Sequence, residues 1–391
     1  MPKPVVVGAA RTAIGRAFKG SLVNTTPEEL ATTILEAVVE RSGVDPASID
    51  DIMFAESHYG GGDLARYAAA KLGMNTVPGQ ALNLHCAGSL TAVANAAAQV
   101  NSGMDRTVVA GGVQSLSMIP LMKVRIPGPE AEFEDMWIPP SHPETADAPT
   151  RDMPITVGWN TAQAVGISRR EMDEWALRSH QRAIKAIDDG VFADEIVPLK
   201  ITGPDGSVTS FTVDESPRRG TTMERLEALP VLHPEIPEFS ITAGNSSGTN
   251  DAAAAMVVMD SEIASSAGLN ALGVVRAWAA AGVEPKDTGL GAVFAIGKVL
   301  DRTGLSAGDV ALWEINEAFA SVPIAACREF GIDEELVNIY GSGCSLGHPI
   351  AASGARMLTT LFYELNRRGG GIGVAAMCAG GGQGGAVVIE V

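Results

Sequence analysis

Cys86 has the clearest potential for nucleophilic chemistry in this sequence. It lies near the start of an alanine-rich run, residues 84–104, that contains no Asp, Glu, Lys or Arg. Such a run predicts a helix that is buried on all sides. A thiol at the start of a helix feels the positive end of the helix dipole, so its thiolate form is favoured. Cys86 is therefore a candidate nucleophile, although a free cysteine is more often a buried structural residue.

A weak internal repeat brings a histidine into register with this cysteine. Residues 41–44 and 108–112 reappear as residues 302–305 and 374–378, at offsets of 261 and 266. A shift of 262 takes Cys86 to His348. Two similar core halves are therefore expected, and packing about a pseudo-twofold axis would bring the two residues into one pocket.

His348 is predicted to begin a helix over residues 348–356, because Pro349 suits the first helical position. A histidine within reach of a cysteine supplies the base that nucleophilic catalysis needs. Cys378 could transfer a second proton, and Asn316 could stabilise a developing oxyanion. His85 is adjacent to Cys86, but chain neighbours at a helix start usually point apart, so it is interpreted as structural.

Strands alternate with helical segments around these residues. This alternation predicts a mostly parallel sheet with helices on both faces. From about Ile119 to Ile241 the alternating pattern of strands and helices is lost, and this stretch is interpreted as an insertion. Its one convincing exposed helix begins at Ser168, where Glu171 completes a capping box. The predicted strands of the first half are residues 4–9, 50–55, 105–112 and 252–259, with a helix over residues 27–42.

Composition excludes several classes of protein. The chain of 391 residues is 46% hydrophobic and carries a formal net charge of -18, which argues against nucleic-acid binding. Neither a signal peptide nor a membrane-spanning run is expected. The four cysteines lack metal-ligand spacing and the density of a disulfide framework, so a cytoplasmic location and no metal site are predicted.

Seven motifs spread along nearly the whole chain resemble those of the thiolases, which are acyl-coenzyme A (CoA) acyltransferases. The resemblance implies an α/β fold of five alternating αβαβα layers with two repeated halves. It implies an N-terminal half (residues 1–118 and 242–267), an inserted loop domain (119–241) that binds CoA, and a C-terminal half (268–391). The motifs are Arg11–Gly15, Gly111–Ser117, Ala176–Gln181, Thr242–Asp251, Asn316–Phe319, Gly347–Pro349 and Cys378–Gly382.

The resemblance also implies a role for each catalytic residue. Cys86 resembles the nucleophile that takes the acyl group as a thioester, and His348 resembles the base that accepts its proton. Cys378 resembles the acid and base at the α-carbon. Asn316, through a water, would form one oxyanion hole with His348. The backbone amides of Cys86 and Gly380 would form the other.

CoA is expected as a substrate, with no permanently bound cofactor. Ser247 resembles a serine near the pantetheine, Arg218 a basic residue near the nucleotide, and Met153 a methionine that lines the channel. The sequence departs from the family pattern at several positions, including Gln114, Trp159 and Cys344. None of these departures removes a catalytic group, but they leave the acyl-chain preference open.

The implied function is thiolytic cleavage of 3-oxoacyl-CoA in fatty-acid metabolism, by ping-pong kinetics. Condensation of two acetyl-CoA molecules to acetoacetyl-CoA is the alternative. A decarboxylating ketoacyl synthase on the same fold would use two histidines and has no need of Cys378. A non-catalytic binding protein would usually have lost a catalytic group. The resemblance further implies a homodimer or a homotetramer.

Overall fold

The computed structural model describes residues 3–59, 62–134, 140–202 and 206–391, and these ranges contain 15 β-strands and ten α-helices. The strands are β1 (Pro4–Thr12), β2 (Gly15–Arg16), β3 (Asp51–Glu56), β4 (Gln80–Leu82), β5 (Thr107–Gln114), β6 (Val124–Arg125), β7 (Phe133–Glu134), β8 (Ile196–Val197), β9 (Leu199–Thr202), β10 (Val208–Phe211), β11 (Asn250–Asp260), β12 (Gly273–Gly282), β13 (Leu312–Ile315), β14 (Ile372–Ala379) and β15 (Gln383–Glu390). The helices are α1 (Pro27–Ser42), α2 (Leu64–Lys71), α3 (Gly88–Ser102), α4 (Asn160–Val165), α5 (Arg169–Asp188), α6 (Met223–Glu227), α7 (Ser261–Ser266), α8 (Gly291–Thr303), α9 (Ser321–Phe330) and α10 (Ser353–Arg368). A π-helix, Pro154–Trp159, directly precedes α4.

The main sheet contains two halves with the same strand order. Its order is β13-β14-β15-β12-β1-β11-β5-β3-β4, and Val5 pairs with Val274 where the halves join. The prediction of a mostly parallel sheet is only partly right. Strands β3 and β5, and likewise β13 and β14, are parallel, whereas β11 and β15 run antiparallel to their neighbours. A short glycine turn joins β14 to β15, and a connection of that length permits only antiparallel pairing.

The helices and the two halves of the sheet form five layers, as predicted. Helices α3 and α10 lie between the halves and contact strands of both. Helices α1 and α2 cover the outer face of the N-terminal half, and α8 and α9 cover that of the C-terminal half. The middle layer therefore carries the packing contact between the two halves.

Two capped helices agree with their sequence signals. Thr26 and Glu29 form a capping box at the start of α1, and Gly43 ends that helix in the left-handed conformation. Ser168 and Glu171 form a second capping box at the start of α5. These signals depend only on neighbouring residues, so they can be predicted without knowledge of the tertiary structure.

Three helix predictions need correction. Helix α3 is not buried on all sides, because Asn95 and Ala98 are exposed. Helix α5 is not simply exposed, because one face is buried and its Trp175 donates a hydrogen bond to the Glu317 carboxylate. The third correction concerns the helix predicted to begin at His348.

Helix α10 begins at Ser353, so His348 and Pro349 lie in a turn before it. The backbone N–H of His348 donates to Oδ1 of Asn250, at 3.0 Å, at the start of β11. Gly347 has a φ of 108°, which a residue with a side chain rarely adopts. These two constraints hold His348 against β11, so α10 begins after this turn, at Ser353.

Candidate active site

Cys86 lies in a tight turn that leads into α3. The backbone N–H of His85 donates to Oδ1 of Asn83 at 2.8 Å, and Gly88 N–H donates to the His85 carbonyl at 3.0 Å. His85 adopts a φ of 45° within this turn. The turn presents Cys86 to a cavity, and its thiol is free.

Cys378 and Gly380 approach Cys86 from the C-terminal half. Cys378 lies near the end of β14 and is buried. Burial raises the pKa of the Cys378 thiol, and a negative charge on the Cys86 sulfur raises it further, so the two thiols are close enough to interact. Gly380 follows in the turn between β14 and β15, where its backbone N–H is close enough to the Cys86 sulfur to oppose the rise in the pKa of that thiol. The structure thus brings these three predicted residues together.

Asn316 and His348 form a second group. Asn316 follows β13, and its backbone N–H extends the pairing to β14 by donating to the Ala376 carbonyl at 2.9 Å. Its Nδ2 lies 3.3 Å from Nδ1 and 3.4 Å from Nε2 of His348. The Oδ1 atom of Asn316 is buried without a hydrogen-bond partner. An unpartnered buried amide atom is costly unless a water or a substrate completes it.

The segment after His348 joins the two groups. Ile350 lines the same cavity as Cys86. The backbone N–H of Ala355 donates to the Ser89 hydroxyl at 3.0 Å, so the start of α10 packs directly on the start of α3. The two chain segments therefore meet through a turn and a helix start rather than through two helix starts, but His348 is not among the residues that line the Cys86 cavity.

Burial sets the protonation states of the two central residues. It raises the pKa of Cys86 to about 11, even though the backbone N–H groups of Gly380 and of Cys86 itself lower it. The expectation that the helix start favours the thiolate is therefore wrong for the ligand-free protein, because desolvation outweighs the nearby amides. Burial and the positive charge of Arg356 lower the pKa of His348 to about 4. A neutral thiol thus accompanies a neutral imidazole that can accept a proton.

Two cavities adjoin this centre. The first, of about 430 Å³, contains the predicted residues Ser247 and Arg218. The second, of about 250 Å³, contains Cys86, Gly380 and the predicted residue Met153. We call them the CoA-side cavity and the Cys86 cavity. Met153 thus lies with the nucleophile, whereas the next residue, Pro154, lines the CoA-side cavity.

Sequence reasoning missed several residues that line these cavities. Arg16 and Lys19 add positive charge to the CoA-side cavity. His58, His85 and Arg151 line the Cys86 cavity. The expectation that His85 points away from Cys86 is not met, because His85, with its left-handed backbone, lines the same cavity. The position of His85 next to Cys86 in the sequence was the signal that could have indicated a place in this cavity.

The departures from the family pattern occupy different places. Gln114 joins the two halves, since it donates to the Ser57 carbonyl and accepts from the N–H of Ala351. Trp159 packs against Phe239, with ring centroids 5.1 Å apart, instead of lining either cavity described above. Cys344 lines the CoA-side cavity and is otherwise buried, so burial raises its pKa.

Neither a membrane span nor a metal centre is found in the parts of the chain that the structure describes. No described helix combines the length and the apolar character that crossing a bilayer requires. No cluster of three or more His, Cys, Asp or Glu side chains within the described ranges could hold a metal ion.

Comparison with known proteins identifies the family. Residues 4–262 match the family description "Thiolase, N-terminal domain" and residues 269–391 match "Thiolase, C-terminal domain". The chain is 37% identical to a 3-ketoacyl-CoA thiolase of Bacillus subtilis and 39% identical to an acetyl-CoA acetyltransferase of Paracoccus denitrificans, with 100% of each chain covered. The crystal structure of the Bacillus anthracis acetyl-CoA acetyltransferase superimposes with a TM-score of 0.91 at 37% identity, covering 100% of this chain and 99% of that one. The predicted family, fold and enzyme class are thereby confirmed: the chain belongs to the thiolase family and is an acyltransferase.

Proposed function

We propose that this enzyme cleaves 3-oxoacyl-CoA esters by thiolysis, giving acetyl-CoA and a shortened acyl-CoA. One observation carries the proposal. The free thiol of Cys86 faces a cavity beside the Gly380 N–H and the Cys378 thiol. A nucleophile, an oxyanion donor and a second proton donor are the parts that such a cleavage requires.

The first half-reaction forms the acyl-enzyme. The Cys86 sulfur bonds to the 3-oxo carbon while His348 accepts the thiol proton, and the backbone amides of Cys86 and Gly380 stabilise the oxyanion. Collapse of this intermediate breaks the bond between C2 and C3. The resulting acetyl-CoA carbanion, stabilised by Asn316 and His348, takes a proton from Cys378 and leaves as acetyl-CoA. Loss of one oxyanion donor typically costs about 2.7–4 kcal/mol of transition-state stabilisation.

The second half-reaction discharges the enzyme. The thiol of free CoA gives its proton to the Cys378 thiolate and attacks the thioester carbonyl. The Cys86–acyl bond then breaks, the Cys86 sulfur takes back the proton held by His348, and the shortened acyl-CoA departs. CoA is thus a substrate, and no permanently bound cofactor is required. Ser247 and Arg218 support CoA binding because both line the CoA-side cavity, and Met153 supports the acyl end because it lines the Cys86 cavity.

Condensation of two acetyl-CoA molecules is the second candidate. It uses the same residues in reverse, with Cys378 removing the α-proton, and the name of the 39%-identical relative favours it. The room beyond Cys86 favours thiolysis of a chain longer than acetyl. A comparison of kcat/KM for acetoacetyl-CoA with longer 3-oxoacyl-CoA esters distinguishes these candidates.

We further infer a homodimer or homotetramer in the cytoplasm that acts in fatty-acid metabolism. Strand β4 ends the sheet order and its residues are largely exposed, which suits pairing with a second copy. All four cysteines are free, which suits a reducing compartment. Light scattering of the purified protein measures the assembly, and a monomeric mass at assay concentration would contradict that part of the proposal.

Mass spectrometry of the intact protein tests the proposed function. After brief mixing with acetyl-CoA or acetoacetyl-CoA, the enzyme should gain one acetyl group, and free CoA should discharge it. The Cys86→Ala variant should gain none. A folded wild-type protein that stayed unmodified with these donors and with longer 3-oxoacyl-CoA esters would refute the proposal.

A further inference from the structure

The Cys86 cavity has one wall that the proposed reaction does not use. Beside the reacting groups, three basic side chains line it: His58, His85 and Arg151. None of them has a part in breaking the bond between C2 and C3. The remaining lining residues are Pro140, Ser141, Thr150, Met153 and Ile350.

The two histidines are held in place by unusual backbone conformations. His58 has a φ of 60° and His85 a φ of 45°, a region that residues other than glycine seldom occupy. A Cβ atom on Gly380 would lie 3.5 Å from Cγ of His85, so this imidazole lies directly beside the proposed oxyanion donor. Strain of this kind persists only where the surrounding structure enforces it, and it is concentrated at functional sites.

Both imidazoles are available to a ligand. Neither ring forms a hydrogen bond with any residue that the structure describes. Burial lowers the pKa of His58 and of His85, and the positive charge that each would feel from a neighbouring histidine lowers it further. Each ring is therefore neutral at neutral pH and offers one N–H donor.

Arg151 adds a permanent positive charge to this wall. Its side chain is half exposed, and Glu134, its partner at 3.7 Å, is equally exposed. Such a surface pair is weak, so Arg151 can bind a second anion. No carboxylate belongs to the described residues that line the cavity. The wall therefore presents hydrogen-bond donors and positive charge, and Glu134, the carboxylate paired with Arg151, is not among the residues that line the cavity.

This chemistry does not suit a plain alkyl chain. A methyl end would displace water from the imidazole N–H groups and offer no acceptor in return. A carboxylate accepts several hydrogen bonds and pairs with a guanidinium. We propose that the preferred acyl chains are short and end in a carboxylate, which His58 and His85 bind through hydrogen bonds and Arg151 through charge. This inference rests on the proposed acyl transfer.

Two substrates of equal carbon number test this preference. The kcat/KM for thiolysis is measured with 3-oxoadipyl-CoA, which ends in a carboxylate, and with 3-oxohexanoyl-CoA, which ends in a methyl group. We expect kcat/KM to be about tenfold or more higher for 3-oxoadipyl-CoA, which is the effect of one hydrogen bond to a charged group. Arg151→Met should reduce this ratio about tenfold, and Arg151→Lys should retain most of it.

His85→Asn should also reduce the ratio, because asparagine tolerates the left-handed backbone but is too short to reach as far into the cavity. His233→Gln is the matched control. Its imidazole bonds to Asp152 and Glu235 outside this cavity, so the ratio should stay unchanged. Exposure of Arg151 makes its variants safe for folding.

The outcomes separate this inference from the function on which it rests. Preference for 3-oxohexanoyl-CoA, or a preference ratio that neither Arg151→Met nor His85→Asn changes, would overturn the inference. Acetylation of Cys86 by acetyl-CoA with cleavage of neither ester would also overturn it and leave the acyltransferase proposal intact. Failure of every donor to acylate Cys86 would refute the proposed function and this inference together.

Discussion

Nδ1 of His348 lies 2.6 Å from the hydroxyl oxygen of Ser353, and that hydroxyl donates to the Pro349 carbonyl at 3.0 Å. A hydroxyl has only one proton to donate, so Ser353 accepts its other hydrogen bond from Nδ1–H of the imidazole. Nε2 then carries no proton. The turn before α10 therefore assigns the His348 tautomer that can act as a base.

Replacing Ser353 by alanine should lower kcat for thiolysis about tenfold, because the tautomer loses a hydrogen bond that fixes it. The KM for CoA should change little, since Ser353 does not line the CoA-side cavity. Ser353→Thr retains a hydroxyl and should recover most of the rate. Steady-state kinetics of both variants checks this, and a kcat within twofold of wild type for Ser353→Ala would contradict a positioning role.

The reactivity of Cys86 should rise steeply with pH in the ligand-free enzyme. Because burial raises its pKa to about 11, few molecules carry the thiolate at neutral pH, and the fraction grows as the pH approaches that value. The rate of iodoacetamide alkylation at Cys86, followed by peptide mass spectrometry between pH 6 and 10, should increase throughout. A rate that levels off below the pKa of an ordinary cysteine would show instead that the nearby amides outweigh burial.

Cys86 and His348 also show how much of the site can be predicted from the sequence. The alanine-rich run after Cys86 predicted the nucleophile, the repeat in register predicted His348, and capping signals predicted α1 and the start of α5, because all of these depend on patterns within the sequence. The raised pKa of Cys86 could not be predicted, since it depends on desolvation by distant segments. The turn at His348 likewise depends on its contact with Asn250.

Arg218 should affect binding of the nucleotide part of CoA and not of the pantetheine. Its side chain is exposed at the CoA-side cavity, which also contains Ser247. We expect Arg218→Gln to raise the KM for CoA about tenfold through loss of a hydrogen bond to a charged phosphate, whereas the KM for pantetheine stays the same.

The neighbouring residue provides the control for that experiment. Arg219 pairs with Asp188 on the surface, so Arg219→Gln should change neither KM. If Arg218→Gln raised both KM values equally, the residue would act on the shape of the cavity and not on the nucleotide. If it raised neither, Arg16 and Lys19 would be the cations to examine next.

Gly354 sets the distance between the two central helices. A Cβ atom at this position would lie 2.7 Å from the backbone nitrogen of Leu90, so Gly354→Ala must push α10 away from α3. We expect a loss of about 1–3 kcal/mol in the free energy of unfolding, as for other overpacked sites. The displacement also separates the His348 turn from Cys86, so acetylation of Cys86 by acetyl-CoA should slow.

A glycine in an outer helix separates this effect from a general response to alanine. Gly297 lies within α8, and a Cβ there would meet Phe330 at 3.5 Å, an ordinary contact. Gly297→Ala should therefore keep the acetylation rate and stabilise the helix by about 0.5–1 kcal/mol. For both variants, denaturant unfolding at one protein concentration measures the free energy of unfolding, and acetylation reactions quenched at set times measure the acetylation rate of Cys86. Equal stability and equal rates for the two would show that the helices can separate without disturbing the site, and the central packing would then have no part in positioning His348.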